Sequence, residues 1–168
     1  MTETMRQDRP HGHLHELLLG ELFELLGAEN QLLSGLQRMA DAAHRDALQA
    51  VLRLHLRETE MHIERLKLVF QELGISPRRK KSKAMEGLLR EAEDLIDELA
   101  DTPAVRDAAL IAMAQKVEHY EIAAYGCVLT YAELMELPEV SALLAQTLDE
   151  EKQTDELLTE IALEVVEP

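Results

Sequence analysis

The segment Lys116–Gly126, KVEHYEIAAYG, contains two carboxylates within an apolar stretch. Residues three, four and seven apart share one face of an α-helix, because each residue turns the helix by about 100°. On that face, Glu118 is centred between Ile111 and Tyr125. Glu121 lies one turn further on and slightly to the side. The spacing therefore predicts that both carboxylates lie in a helical core, where they could bind a cation.

Each of the other predicted long helices carries similar polar residues on its apolar stripe. The inward-facing positions are Glu29 on the first helix, His55, Glu58 and His62 on the second, and Glu151 and Asp155 on the fourth. Every long helix therefore brings at least one carboxylate to the interior, close to its middle. For any single residue of this set, a simpler explanation is a side chain that reaches solvent from the edge of the stripe, or a histidine satisfied within the core.

Six interior carboxylates need a positive partner. Moving one ion from water into a protein interior costs several kcal/mol even after relaxation, and a domain is stable by only about 5–15 kcal/mol. Lys and Arg are missing from the stripe positions, which leaves shared protons, water or metal ions. Carboxylates with a few imidazoles suit iron or manganese. A pair of ions fits the number of ligands, and six negative charges should favour two ferric ions over two divalent ones.

Three aromatic side chains near the stripes have open roles. Tyr125 could donate a hydrogen bond to the site or act in redox chemistry, or it could be a core tyrosine whose hydroxyl is satisfied. His55 lies one turn from Glu58 and could orient that carboxylate, or it could simply pack in the core. His119 lies about 100° from Glu118 around the helix, so it should face a neighbour, a partner or solvent. The alternative is that it contacts one of the metal-binding side chains without binding the ion itself.

Apolar residues at three- and four-residue steps predict four long helices. These helices span about residues 13–43, 44–73, 103–137 and 138–165. Gly74 can end the second helix. Asp101 or Thr102 can cap the third, with Pro103 in its first turn. The connection after the second helix contains the irregular stretch GISPRRKKSK and a shorter amphipathic helix at 84–100.

Short joints within each helix pair and one long crossover between the pairs are typical of ferritin-like bundles. We therefore predict an all-α fold, a ferritin-like four-helix bundle with a short fifth helix in its crossover. Unrelated helical packing is the alternative. Residues 14–165 should form this single domain, and residues 1–13 a polar N-terminal tail.

The composition favours one helical domain and argues against several functions. The 168 residues are 46% hydrophobic but only 3% aromatic, as in a folded, helical chain. A formal net charge of −16 disfavours binding to nucleic acids or anionic membranes and attracts cations. No run approaches the ~20 apolar residues of a membrane span. With no recognisable secretion signal, and one cysteine, Cys127, that we expect to be buried, we predict a cytoplasmic protein.

Five segments together resemble the YciE/YciF-type bacterial ferritin-like family. They are AENQLL (28–33), HLRETEMHIERL (55–66), AMEGLL (84–89), KVEHYEIAAYG (116–126) and LDEEKQTDELL (148–158). The resemblance covers nearly the whole chain and implies a ferritin-like bundle with a di-iron-type carboxylate centre. It also implies a homodimer, a link with bacterial stress responses, and a ferroxidase activity that the family carries by similarity.

Carried over residue by residue, the resemblance implies seven metal ligands. They are Glu29, Glu58, His62, Glu118, Glu121, Glu151 and Asp155. The chain departs from the wider superfamily because Thr59 stands where the usual Glu-x-x-His motif has its carboxylate, so the pair becomes Glu58-x-x-x-His62. The fourth helix offers no histidine at the matching point. One ion would then have an imidazole ligand and the other mainly oxygen ligands.

These observations lead to one main hypothesis and two alternatives. The main hypothesis is a di-iron oxidoreductase, with manganese as the other candidate metal, which oxidises ferrous iron with oxygen or hydrogen peroxide. The first alternative is a metal-stabilised structural or partner-binding protein without turnover. The second is a helical protein without metal, whose carboxylates share protons. Bulk iron storage is disfavoured because nothing in the sequence indicates assembly into a cage.

Overall fold

The chain folds into five α-helices and no strand over residues 12–166, the part that this computed structural model describes. The helices are α1 (Gly12–Ala42), α2 (Asp46–Glu72), α3 (Lys83–Glu98), α4 (Pro103–Leu134) and α5 (Pro138–Val166). The predicted all-α bundle with a short helix in its crossover is therefore confirmed. Of the predicted polar tail, residues 1–11 lie outside the described residues, and α1 already begins at Gly12.

The four long helices form a ring in which each packs against two others. α1 packs on α2 and α4, and α5 packs on the same two helices. α3 lies outside this ring, against α1 and α4. Two helix hairpins joined by one crossover produce this arrangement, and it brings the middles of the four long helices together.

Local sequence accounts for several helix ends. Gly74 follows α2 with a φ of 67°, a conformation that glycine adopts without a Cβ penalty. At the start of α3, the Ser82 hydroxyl accepts a hydrogen bond from the Met85 N–H at 3.3 Å, which satisfies a free donor of the first turn. Thr102 occupies the N-cap position of α4 without forming the predicted side-chain cap, because its hydroxyl donates to the Leu99 carbonyl oxygen.

The turn between α4 and α5 is longer than predicted. α4 ends at Leu134, not near Leu137, and Glu136 turns the chain with a φ of 56°. Leu137 packs against the core from within this turn, so the apolar period continues past the true end of the helix. Pro138 then opens α5, where a missing N–H has little cost.

The core consists of two apolar layers with a polar layer between them. Each long helix contributes to all three layers. One apolar layer includes Leu36, Leu48, Leu110 and Leu158, and the other includes Leu22, Leu66, Val128 and Leu144. The buried Glu and His residues of each helix lie between these positions in the sequence. Apolar side chains on both sides therefore separate the polar layer from the ends of the bundle.

Hydrogen bonds attach the crossover to the bundle. The Lys80 N–H donates to the Phe23 carbonyl oxygen at 2.9 Å. The Gln31 amide exchanges two hydrogen bonds with the Ser82 backbone, at 2.8 and 3.1 Å, and the Ser82 hydroxyl lies 2.9 Å from the Tyr120 hydroxyl. These contacts hold the start of α3 against α1 and α4.

The side chain of Cys127 is exposed on α4, so the prediction that it is buried is wrong. α4 carries apolar or small residues on several faces, including Ala123 and Leu134, which are exposed, and Val128, which is buried. The apolar character of adjacent residues therefore does not indicate whether Cys127 faces the core. None of the helices within residues 12–166 is long and apolar enough to cross a membrane.

Gly27 of α1 packs directly against the backbone of the crossover. A Cβ built there would lie 1.8 Å from the Lys80 carbonyl oxygen, whereas at Gly20 it would meet nothing within 4 Å. We expect Gly27→Ala to lower the free energy of unfolding by about 1–3 kcal/mol, as overpacking does, because backbone atoms have to move. Gly20→Ala, the matched control on α1, should be neutral or stabilise by up to about 1 kcal/mol. Urea unfolding measures both, and equal stabilities would contradict this packing.

Candidate metal centre

The polar layer contains two groups of side chains that could each hold a metal ion. One group is His55, Glu118, Glu121 and Glu151, and the other is Glu29, His62 and Glu151. Within each group, one ligand atom of each residue lies within 4.8 Å of the others. All six residues are at most 1% exposed. Because Glu151 belongs to both groups, the two candidate sites are adjacent.

His55 of α2 joins the carboxylates of α4 and α5 in the larger group. Its Nε2 lies 3.1 Å from Glu118 Oε1 and 3.7 Å from Glu121 Oε2. Its Nδ1 lies 3.9 Å from Glu151 Oε2, and also 3.9 Å from Glu58 Oε2. The side chains thus converge from three helices, which is why they are distant in the sequence and close in the fold.

His62 is the histidine of the smaller group. Its Nδ1 lies 3.0 Å from Glu151 Oε1 and 3.6 Å from Glu29 Oε1. The buried Tyr125 hydroxyl donates a 2.5 Å hydrogen bond to Glu29 Oε1. The Tyr125 ring also meets the His62 ring edge to face, with centroids 6.4 Å apart. Tyr125 is therefore a core tyrosine whose hydroxyl is satisfied by a candidate metal ligand.

Most polar atoms of the two groups have no partner in hydrogen-bond geometry among the described residues, although some lie as close as 3.0 and 3.1 Å to each other. They are Glu29 Oε2, His55 Nδ1 and Nε2, His62 Nδ1, and both carboxylate oxygens of Glu118, Glu121 and Glu151. An unsatisfied buried polar group costs about 1–3 kcal/mol, and a charged one costs more, so native proteins rarely contain them. Carboxylate oxygens and imidazole nitrogens are ligands that iron, manganese and zinc accept. The donor set therefore fits metal ions.

Without a metal ion, protons have to compensate the buried negative charge. Burial raises the pKa of Glu118 and of Glu121 well above the usual range, and the nearby charge of Glu151 adds to this effect. For His55, burial alone would lower the pKa, but the charge of Glu118 and further carboxylates raises it to about 9. The pKa of His62 is likewise raised, to about 11, because its carboxylate neighbours outweigh its burial. Metal binding would therefore displace protons.

Glu58 and Asp155 lie at the edge of the polar layer, outside both groups. Their side chains are 21% and 22% exposed. Glu58 Oε2 accepts a hydrogen bond from the Thr154 hydroxyl at 3.3 Å. Asp155 Oδ1 lies 3.3 Å from Nδ1 of His119, an exposed side chain whose Nδ1 also contacts the Gln115 carbonyl oxygen at 2.9 Å. The structure thus brings five of the seven predicted ligands together and leaves these two beside them.

The two groups differ from the sequence-based expectation in two respects. Each contains one imidazole, whereas an imidazole was expected for only one ion, and the difference is due to His55. Its spacing of seven from His62 does indicate a shared face, so the sequence contains that signal. The two groups also hold four carboxylates, not six. Two divalent ions would balance that charge, and two ferric ions would be favoured only if Glu58 and Asp155 also bound them.

A contact behind His62 was not expected from the sequence. Glu150 Oε2 lies 2.8 Å from His62 Nε2, and the Arg65 guanidinium donates to both Glu150 oxygens, at 2.8 and 3.0 Å. Glu150 lies about 100° from Glu151 around α5, away from the apolar stripe. Only the packing of α5 against α2 makes Glu150 part of the site.

The fold and most of the chain recur in known proteins. Residues 13–168 match the family described as "Domain of unknown function (DUF892)". This chain belongs to the DUF892 family. It is 42% identical to Protein YciF of Escherichia coli (strain K12) over 151 residues, which are 89% of this chain and 90% of YciF. The crystal structure of the E. coli stress protein YciF gives a TM-score of 0.87 and covers 91% of this chain and 96% of that one.

Two further solved structures share the bundle of this DUF892 protein. YcfI from Rhodopseudomonas palustris, provisionally described as a structural protein, is 37% identical with a TM-score of 0.85, over 92% of this chain and 96% of that one. A protein from Xanthomonas campestris pv. campestris str. ATCC 33913 is 20% identical with a TM-score of 0.74, over 91% and 93%. At that identity it supports the fold alone. The resemblance to the YciE/YciF-type family is thus confirmed.

The raised histidine pKa values predict how the metal-free DUF892 protein responds to pH. A group with a higher pKa in the folded state stabilises the fold below its unfolded pKa, and this stability is lost as the pH rises through the folded pKa. We expect the melting temperature to fall between about pH 6.5 and pH 9, because His55, with its raised pKa, is still protonated in the folded state over this range. His55→Gln should make this fall less steep without abolishing it, because the pKa of His62 is also raised, to about 11, whereas His44→Gln, at an exposed position, should leave the slope unchanged. Calorimetry across this range is the test, and a rising melting temperature would contradict it.

Proposed function

We propose that this DUF892 protein binds two iron ions in its polar layer and oxidises ferrous iron with oxygen or hydrogen peroxide. The observation that carries the proposal is the pair of buried groups that share Glu151. A shared carboxylate suits two ions held a few ångströms apart, as in known two-metal sites. Manganese is the alternative ion, because it accepts the same oxygen and nitrogen ligands.

In this proposal each group binds one ion. His55, Glu118 and Glu121 would hold the first, and Glu29 and His62 the second. Glu151, which belongs to both groups, would help to hold both ions. Glu58 and Asp155 remain candidate ligands from the family resemblance, although each would have to turn inward from the edge of the layer.

The proposed reaction transfers one electron from each of two ferrous ions to one oxidant. With hydrogen peroxide and two protons, two Fe2+ give two Fe3+ and two water molecules; with oxygen and two protons, they give two Fe3+ and one hydrogen peroxide. The residues of the chain bind the ions, exclude bulk water and hold protons near the site. Tyr125 donates to Glu29 Oε1 and leaves Oε2 of that carboxylate free for an ion.

The burial of the layer limits which reactants can reach it. The six side chains of the two groups are at most 1% exposed. Clefts on the surface between α1 and α3, and between α2 and α5, are lined by other residues. Oxygen, peroxide, water and metal ions are small enough to pass a briefly opened bundle, whereas an organic substrate would require a larger rearrangement. The enclosure therefore supports small inorganic reactants.

The main alternative is a metal-stabilised structural or partner-binding protein without turnover. The same enclosure favours it, because an ion held among buried carboxylates would stabilise the bundle whether or not it reacts. The relative YcfI, with its provisional structural description, is 37% identical. Metal-dependent turnover separates this alternative from the proposed oxidation.

The family relationship suggests the setting in which the protein acts. YciF of E. coli is described as a stress protein, and we propose a stress-response role for this chain as well. A homodimer and a cytoplasmic location belong to the same proposal. Light scattering of the purified chain tests the dimer directly, and a mass close to the 19.0 kDa of one chain would exclude it.

Anaerobic titration with ferrous iron tests the proposed site. We expect about two ions per chain, the number that two-metal sites hold, because there are two groups. Glu151→Ala should weaken the binding of both ions, since both groups share Glu151, whereas Glu29→Ala should weaken only one. Glu156→Ala, at an exposed position on α5, is the control for loss of a carboxylate. Iron retained after equilibrium dialysis gives the stoichiometry, and a wild-type chain that takes up no iron or manganese would sink the proposal.

Addition of oxygen or peroxide to the iron-loaded protein tests turnover. We expect oxidation of ferrous iron faster than in buffer alone, followed by repeated cycles when more ferrous iron is supplied. Ferric absorbance and consumption of the oxidant are the measurements. Tightly bound iron that oxidises no faster than free iron would favour the structural alternative.

A further inference from the structure

We propose that Glu150, held by Arg65, is a positioning residue that makes His62 present Nδ1 to the metal site. The inference rests on the metal site proposed above, but it concerns two residues that belong to neither metal group. It also predicts that the two histidines bind their ions through different ring nitrogens.

Both oxygens of Glu150 are engaged by other side chains. Oε2 lies 2.8 Å from His62 Nε2 and accepts a 2.8 Å hydrogen bond from Arg65. Oε1 accepts from Arg65 at 3.0 Å and from Gln146 at 3.2 Å. Arg65 also donates to the Thr147 hydroxyl at 2.7 Å. Paired hydrogen bonds between a guanidinium and a carboxylate fix the orientation of both groups, so Glu150 is held before any ion binds.

The adjacent residue Glu151 has the opposite environment. Its side chain is fully buried and neither of its oxygens has a hydrogen-bond partner among the described residues. Glu150 is instead partly exposed, at 21% of its side chain, and fully hydrogen-bonded. These two consecutive residues of α5 therefore have different roles. Glu151 belongs to the two metal groups, and Glu150 contacts the nitrogen of His62 that points away from them.

The contact with Glu150 leaves His62 only one nitrogen for a metal ion. Nε2 is occupied by the Glu150 carboxylate, and Nδ1 faces Glu151 at 3.0 Å and Glu29 at 3.6 Å. A carboxylate on the far nitrogen of a metal-binding histidine fixes the ring and makes the near nitrogen a better ligand. The ring could turn over only by breaking its bond to a carboxylate that Arg65 holds in place.

His55 presents the other nitrogen and has weaker support. Its Nε2 faces Glu118 at 3.1 Å and Glu121 at 3.7 Å. Its Nδ1 is 3.9 Å from both Glu58 and Glu151, which is too long for a hydrogen bond, so neither carboxylate fixes this ring as Glu150 fixes that of His62. Glu58 in turn contacts the hydroxyl of Thr154 at 3.3 Å. One half of the site thus has a rigid histidine and the other an adaptable one.

Binding of Zn2+, a diamagnetic probe, followed by 15N NMR of the histidine rings tests the inference. In the wild-type chain we expect His62 to bind Zn2+ through Nδ1 and His55 through Nε2. Glu150→Ala should weaken Zn2+ binding at the His62 site by about 10- to 100-fold, the usual effect of removing such a partner, and should abolish the Nδ1 preference of His62. The His55 site should change little.

Three further variants separate positioning from a general effect on the fold. Asp149→Ala removes the neighbouring exposed carboxylate of α5 and should leave both Zn2+ affinities unchanged. Glu150→Gln keeps an oxygen that can accept from Nε2, so it should preserve the Nδ1 preference with a smaller loss of affinity. Arg65→Ala should give an intermediate loss. Melting temperatures of the metal-free variants identify any effect that is only structural.

The possible outcomes distinguish a failure of the positioning role of Glu150 from a failure of the metal site. Binding of Zn2+ to wild-type His62 through Nε2, or unchanged affinity and unchanged Nδ1 binding in Glu150→Ala, would overturn the positioning role while the metal site stands. A wild-type chain that binds neither Zn2+ nor ferrous iron would overturn the metal site and this inference together.

Discussion

The charge of four carboxylates buried within one bundle has to be neutralised, and much of the structure is arranged around that need. Each of the carboxylates Glu29, Glu118, Glu121 and Glu151 is completely buried. The apolar layers on both sides offset the free-energy cost of burying these carboxylates, because burial of apolar side chains is the main favourable contribution to folding. In the absence of an ion, His55 and His62 hold protons against the tendency of buried imidazoles to lose them. A bound cation would satisfy the same charges directly.

The surroundings of the polar layer are as specific as the layer itself. The crossover packs on α1 at Gly27, where there is no room for a Cβ, and α3 then covers the side of the bundle between α1 and α4. On the opposite side, the pair Arg65 and Glu150 bridges α2 and α5 at the level of His62. These contacts restrict the movement of the helices that carry the ligands. A site assembled from four helices requires such restraint, because small shifts of a helix displace its ligands.

Local features of the sequence were sufficient to predict the fold. Apolar residues at helical spacing, Gly74 after α2 and Pro138 at the start of α5 indicate the long helices to within a few residues. The end of α4 and the burial of Cys127 were predicted wrongly, because the local sequence pattern differs there from the tertiary contacts. Leu137 continues the apolar period although it packs from a turn, and Cys127 has apolar neighbours although its own side chain faces outward.

The sequence by itself determined the chemistry of the candidate site and the stripe on which each residue lies. The residue types and the helical period place carboxylates and imidazoles at mid-helix positions, and both are visible in the amino-acid sequence. Only the tertiary structure decided which residues meet. It gathered His55 with Glu118 and Glu121, left Glu58 and Asp155 at the edge, and brought Glu150 behind His62. Helical period fixes the direction of a side chain on its own helix, but distances between helices depend on how their surfaces pack.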